Sequence, residues 1–202
     1  MKSKVIVYIV DDDEAVRHSL GLLLQSVGLL TKSFPSARTF LEDYDAAIPS
    51  CLVLDVRMPD MSGLDLQQVL AKKGIHIPTI IITGHGDIPL AVRAMKAGAM
   101  DVIEKPFNDQ TLLDSVSKAV SSSREIHQQQ LARADIQKLM DHLSPREHDI
   151  LQLLTQGKNS KEIASQLGIS PKTVDVHRTH VMEKMRVKTV VQLAKLVVDV
   201  SS

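Results

Sequence analysis

The sequence predicts two unlike halves, an α/β front built on a parallel sheet and a small all-α rear. Through residue 120, short apolar runs alternate with segments of helical period. The runs are apolar without alternation, which suits strands covered on both faces. From residue 143 onward only short helix-period segments with cap signals occur. At 202 residues the chain has ample core for one large domain or two small ones.

The first apolar run, Val5 to Val10, stops at Asp11, Asp12 and Asp13, and a helical pattern covers Ala15 to Val27. Asp is a good N-cap, but one is enough. Adjacent carboxylates repel by about 1 kcal/mol in water and about 4 kcal/mol at surface-like screening, so three together read as a cation site. Further strand-like runs are Leu29 to Phe34, Cys51 to Leu54, Thr79 to Ile82 and Val102 to Ile103. Helical patterns cover Ala37 to Leu41, Leu64 to Lys73 and Leu90 to Ala97, and another follows Asn108. This rhythm argues for an α/β sheet with short connections. Five strands fit the flavodoxin-like order 2-1-3-4-5, in which ligands gather at the carboxyl ends of the strands.

Residues 1–120 therefore form the first domain. Between Asn108 and His142 there is no Pro or Gly. Residues 121–142 read as a linker, either one continuous helix with what precedes it or a solvated, partly helical stretch. The second is favoured because no sustained heptad pattern runs through it. In the rear domain, residues 143–202, Ser144 is an N-cap, Pro145 the first helical residue and Glu147 the partner of a capping box. Helices are expected to Gln156, across Ser160 to Leu167, from Ser170 to Met185 and from Thr189 to Asp199.

Composition narrows the class. The 44% apolar content describes an ordinary globular protein. The single cysteine, Cys51, excludes an internal disulfide framework and reads as a core thiol. There is no basic leader followed by an apolar run and no stretch of 18 apolar residues, so a cytoplasmic protein with no membrane association is expected. The zero net charge hides an asymmetry. Residues 1–120 carry 12 Lys and Arg against 15 Asp and Glu, while residues 143–202 carry 9 against 6. An acidic front and a basic rear suggest different partners, the second a polyanion.

Chemistry converges on one rim of the predicted sheet. Asp11 and Asp12 follow the first strand, Asp55 ends the third, Thr83 closes the fourth and Lys105 follows the fifth. Carboxylates with open water positions suit Mg²⁺, or Mn²⁺. Asp55 can act as a nucleophile that accepts a phosphoryl group. The Lys105 ammonium and the Thr83 hydroxyl would neutralise and orient its oxygens. The bland alternative, a plain Lys105–Asp55 pair, leaves the other acids unexplained.

The stretches VDDDEAVRHSL, LVLDVRMPDMSGLDL and IIITGHGDIPLAVRAMKAGAMDVIEKPF together resemble a response-regulator receiver domain. The resemblance implies phosphorylation of Asp55 by a sensor histidine kinase. It also implies a metal site of Asp12, Asp55, the Arg57 backbone carbonyl and, through water, Asp11. Thr83 and Lys105 sense the phosphoryl group, the bond before Pro106 is cis, and Arg57 and His85 tune phosphate lifetime. Val102 departs from the family, which commonly places there an aromatic residue that swings inward with the threonine.

In the rear, a pair of short helices joined at Gly168, the second bearing Lys172, Thr173, His177 and Arg178, is what helix-turn-helix readers present to a major groove. His177 and His180 have no acidic or cysteine companion at ligand spacing and do not read as a metal site. LSPRE, ILQLLTQGKNSKEIASQLGIS and KTVDVHRTHVMEKM resemble the LuxR-type DNA-binding domain, and the tandem resembles the FixJ/NarL class of transcription regulators. That resemblance places Asp175, Val176 and Thr179 toward base edges, and Lys172, Thr173, His177, Arg178 and Lys184 near phosphates. Asp175 stands where lysine is frequent. The implied partners are double-stranded DNA with paired half-sites, RNA polymerase, and a second copy of the chain once phosphorylated.

Two other readings compete. Phosphohydrolases of the haloacid dehalogenase type share an acidic Mg²⁺ pocket and an aspartyl nucleophile, but need a second acid two residues later, where this chain has Arg57. Catalysis is then limited to phosphoryl transfer to, and hydrolysis from, Asp55. An adaptor whose rear helices bind protein instead of DNA is distinguished by salt, because several Lys and Arg contacts to phosphates must weaken steeply as salt rises.

Overall fold

The computed structural model describes residues 4–84 and 88–201, the last three of these as backbone only. They fall into two compact units that divide between Gln128 and Gln129.

In the first unit, strands β1 (Ile6–Val10), β2 (Leu30–Phe34), β3 (Ser50–Asp55), β4 (Thr79–Thr83) and β5 (Asp101–Glu104) alternate with helices α1 (Glu14–Ser26), α2 (Ala37–Asp43), α3 (Gly63–Lys72) and α4 (Ile88–Lys96). All strand pairs are parallel, in the order β2-β1-β3-β4-β5. The predicted order is the observed one.

Alternate residues of the central strands feed two cores, because successive side chains point to opposite faces. Tyr8, Leu52, Leu54 and Ile81 join Phe40, Leu66 and Leu90 on one face. Val7, Ile9, Val53, Ile80 and Ile82 join Leu20, Leu24, Leu112 and Val116 on the other. This double covering is why the strands read as unbroken apolar runs. Tyr8, Phe34, Phe40 and Tyr44 form one cluster of tilted and edge-to-face rings with centroids 5.4–6.0 Å apart, four of the chain's five Phe and Tyr rings. Such pairs add about 0.5–1.5 kcal/mol each to burial, which anchors the otherwise exposed edge strand β2. Cys51 is fully buried, and burial pushes its thiol up to about 12, so it is packing and not a reactive group.

Helix α5 runs from Asp109 to Asp141. The sequence pattern favoured a partly helical linker, and the helix instead continues through it. With neither Gly nor Pro present, nothing breaks the backbone ladder. Leu112, Val116, Ala119 and Val120 anchor one end in the second core, and Ile136, Leu139 and Met140 pack against the core of the second unit. From Gln128 to Asp135 every side chain is exposed.

The second unit adds α6 (Pro145–Thr155), α7 (Ser160–Leu167), α8 (Pro171–Lys184) and α9 (Val190–Ser201). Ser144 and Glu147 form a capping box, as do Asn159 and Glu162. Gly168 ends α7 at φ 65°, a left-handed conformation that glycine adopts without steric cost. Ile150, Leu154, Ile163, Val174, Val181, Met185 and Leu193 make the core.

Candidate functional site

The β1–β3 register, with Val10 opposite Leu54, sets Asp11 beside Asp55 at the carboxyl edge of the sheet. Across them lies Lys105, whose Nζ donates to Asp11 Oδ2 at 2.9 Å and Asp55 Oδ1 at 2.8 Å. Asp55 Oδ2 accepts from the Arg57 backbone N–H at 2.6 Å. Asp11 is 2% exposed and Asp55 8%. Thr83 is buried on the neighbouring strand, and its carbonyl accepts the Lys105 N–H at 2.7 Å. The Lys105–Pro106 peptide is cis.

The three consecutive aspartates separate into three environments. Asp13 caps α1, its Oδ1 accepting from Ala15 N–H at 2.8 Å and Val16 N–H at 3.4 Å. Asp11 turns inward, with Oδ1 held by the Asp13 N–H at 2.9 Å. Asp12 is exposed. Arg17, one turn into α1, folds back so that Nη1 donates to the carbonyls of Asp11 at 2.8 Å and Asp12 at 2.9 Å. Sequence reasoning missed this clamp, because an arginine there is also what an ordinary solvated helix face would carry.

Electrostatics leave the pocket short of positive charge. Burial, with Asp11 adding repulsion, raises the Asp55 carboxyl above the ordinary range despite the Lys105 and Arg57 hydrogen bonds. For Lys105 burial works downward, but hydrogen bonds and attraction from Asp55 and Asp11 outweigh it and raise its pKa. One ammonium thus serves two buried carboxylates, and the exposed Asp12 beside Asp11 in the chain adds a further negative charge. An all-oxygen, net-negative donor set fits a hard divalent cation, whose charge would bring Asp55 back down.

Gly63, the first residue of α3, backs directly onto this pocket. A Cβ there would stand 2.3 Å from the Asp55 carbonyl oxygen and 3.1 Å from the Leu54 side chain. Gly63→Ala is therefore expected to cost about 2–3 kcal/mol by overpacking. Urea unfolding of the variant checks this; stability within 0.5 kcal/mol of wild type, roughly the scatter of neutral surface changes, would refute the close packing.

Of the remaining predicted positions, Val102 is partly buried against the first core and Arg57 is exposed. His85 lies outside the described residues. On α8, Lys172, Val176 and Arg178 are exposed. Thr173 shares a hydrogen bond with the cap Ser170 at 2.8 Å, and Thr179 Oγ1 donates to the Asp175 carbonyl at 3.0 Å. Asp175 accepts from Ser160 Oγ on α7 at 2.7 Å, tying the two helices together. The Lys184 ammonium is likewise engaged, 2.7 Å from Glu147 Oε2 on α6. Sequence spacing could not show either tie, which spans 15 residues in one case and 37 in the other.

Comparison with known proteins places both units. Residues 7–117 match the response regulator receiver domain, and residues 141–197 match the bacterial regulatory proteins of the luxR family. The chain belongs to the two-component response regulators. This response regulator is 47% identical to nodulation protein W of Bradyrhizobium diazoefficiens over 96% of its own length and 86% of that protein's. It is 44% identical to the transcriptional regulatory protein FixJ of Azorhizobium caulinodans, over 97% and 93% of the two lengths. Its fold matches the solved response regulator StyR with a TM-score of 0.81 at 43% identity, covering 96% of this chain and 98% of the other. It is a transcription regulator of the FixJ type with a LuxR-type DNA-binding domain. Among the described residues, no helix of the regulator is long and apolar enough to cross a membrane.

Proposed function

We propose that this regulator is switched by phosphorylation of Asp55. A sensor histidine kinase presents a phosphohistidine. An Asp55 oxygen attacks the phosphorus, the phosphorus–nitrogen bond breaks, and the imidazole leaves with the electron pair. The observation that carries this reading is Lys105 bridging Asp55 and Asp11 in a buried, net-negative pocket. Asp12, Asp55 and the Arg57 carbonyl, with Asp11 through water, would hold Mg²⁺ or Mn²⁺, which supplies charge neutralisation for the phosphoryl oxygens. Lys105 exchanges one carboxylate oxygen for a phosphoryl oxygen, and the Thr83 hydroxyl donates to another. Hydrolysis of the acyl phosphate in the same pocket returns Asp55, with Arg57 and His85 tuning its lifetime.

Phosphorylation then favours a receiver homodimer. Support comes from α4, where Ile88, Val92 and Met95 form an exposed apolar stripe, Ile88 at 79%. Because Val102 cannot swing a ring, the signal runs from Thr83 to α4. Pairing of two chains lets two α8 helices engage paired half-sites on double-stranded DNA, through Lys172, Thr173, His177 and Arg178 to phosphates and Val176 and Thr179 to base edges. RNA polymerase is the expected partner of the bound dimer.

Sedimentation velocity with and without beryllofluoride and Mg²⁺ tests the switch. Beryllofluoride imitates a phosphoryl group on a carboxylate, and the expected result is a shift from monomer to dimer. A chain that binds the ligand yet stays monomeric would sink the dimer mechanism.

A further inference from the structure

His177 and His180 stand one turn apart on the same side of α8, and the fold brings Glu147 of α6 to them. One ligand atom from each of the three lies within 4.8 Å of the others. Glu147 is 3% exposed. Its Oε2 is taken by the Ser144 N–H and by Lys184 Nζ, both at 2.7 Å. Its Oε1 lies 3.9 Å from His180 Nδ1. The two imidazole rings meet edge to face with centroids 6.4 Å apart. His177 Nδ1 is buried and has no hydrogen-bond partner. A buried polar atom left in this way is uncommon in native proteins, and a bound ion is one of the partners that account for it.

We propose that Glu147, His177 and His180 bind one divalent transition-metal ion of the zinc class, with water completing the shell. Two imidazoles and one carboxylate are a donor set that tetrahedral zinc accepts with an open fourth position. The nitrogen donors argue against Mg²⁺ and Ca²⁺, which take oxygen. Zinc–ligand bonds of about 2.0–2.1 Å require the three atoms to draw closer than they stand. His180 supplies that movement, since its side chain is 52% exposed, whereas Glu147 is fixed by its cap. Lys184 opposes the ion from the far carboxylate oxygen and limits the affinity. The ion would tie α8 to α6 and would draw His177 away from the phosphate contact proposed for it above.

The test uses the full chain in excess Mg²⁺, to compete for the acidic pocket of the front unit, while Zn²⁺ is titrated against a chromophoric chelator. One Zn²⁺ per chain with a micromolar Kd is expected. His180→Gln removes a direct ligand and should weaken binding by more than about tenfold, the least that losing even an outer-shell partner typically costs. Lys184→Gln removes the competing cation and should tighten it several-fold, a change of sign that general loss of structure would not produce. Zinc-free helicity of both variants is compared with wild type. The proposal is overturned if wild type takes up no Zn²⁺ under these conditions, if His180→Gln binds as tightly as wild type, or if Lys184→Gln binds more weakly.

Discussion

Asp55→Asn is expected to abolish phosphoryl uptake completely while leaving the chain folded. The amide keeps the shape of the side chain but lacks the anionic oxygen that attacks phosphorus. Stability should hold or rise slightly. Burial already raises the Asp55 carboxyl pKa, so its ionised form is a cost to the folded state that asparagine removes. Lys105 keeps Asp11 as its partner. Intact-mass spectrometry after incubation with an acyl phosphate and Mg²⁺ reads the first effect, and urea unfolding reads the second. Phosphate retained on the asparagine variant would remove Asp55 as the acceptor. Lys105→Met should behave in the opposite way. It leaves two buried carboxylates facing each other and is expected to cost about 2–3 kcal/mol, below the usual 3–5 because Lys105 is partly exposed.

Glu147→Ala is expected to unfold the second unit preferentially, at a cost of about 3 kcal/mol. The substitution removes half of the capping box and leaves the Ser144 N–H and Lys184 without their acceptor. The same carboxylate sets an acid limit. Burial works to raise its pKa, but the hydrogen bonds from Lys184 and Ser144 outweigh this and bring the group down to about 2. A depressed acid stabilises the fold fully above its unfolded value, near 4.3 for glutamate, and that stability is lost as pH falls through the folded value. Between pH ~5 and ~2 the wild-type second unit should therefore weaken, and Glu147→Gln should show a flatter dependence over that window. The described tyrosines lie in the first unit, so hydrogen exchange resolved to residues 143–193 is the appropriate measurement. Equal slopes in the two proteins would exclude Glu147 as the acid-sensitive group.

Much of the fold was legible because its signals are local. Double covering makes the central strands unbroken apolar runs, and the capping box of Ser144 and Glu147 is written within four residues at the start of its helix. The carboxyl-edge placement of Asp55, Thr83 and Lys105 follows from strand ends in a parallel sheet. The course of α5 was less legible. Its exposed middle carries no packing pattern, so only the absence of breakers favoured a continuous helix.

The sequence by itself determined the strand–helix rhythm, the order of the sheet, the helix starts of the second unit and the rim on which the acids gather. Tertiary structure alone decided which acid does what. Asp11 is buried on Lys105, 94 residues away, while Asp12 beside it faces outward and Asp13 caps a helix. It also decided that Glu147 meets Lys184 and stands beside His177 and His180. The reason is physical: periodicity and capping report a residue's neighbours within a turn or two, whereas pairing between charges depends on strand register and helix crossing. Those are set by how whole elements bury their apolar faces.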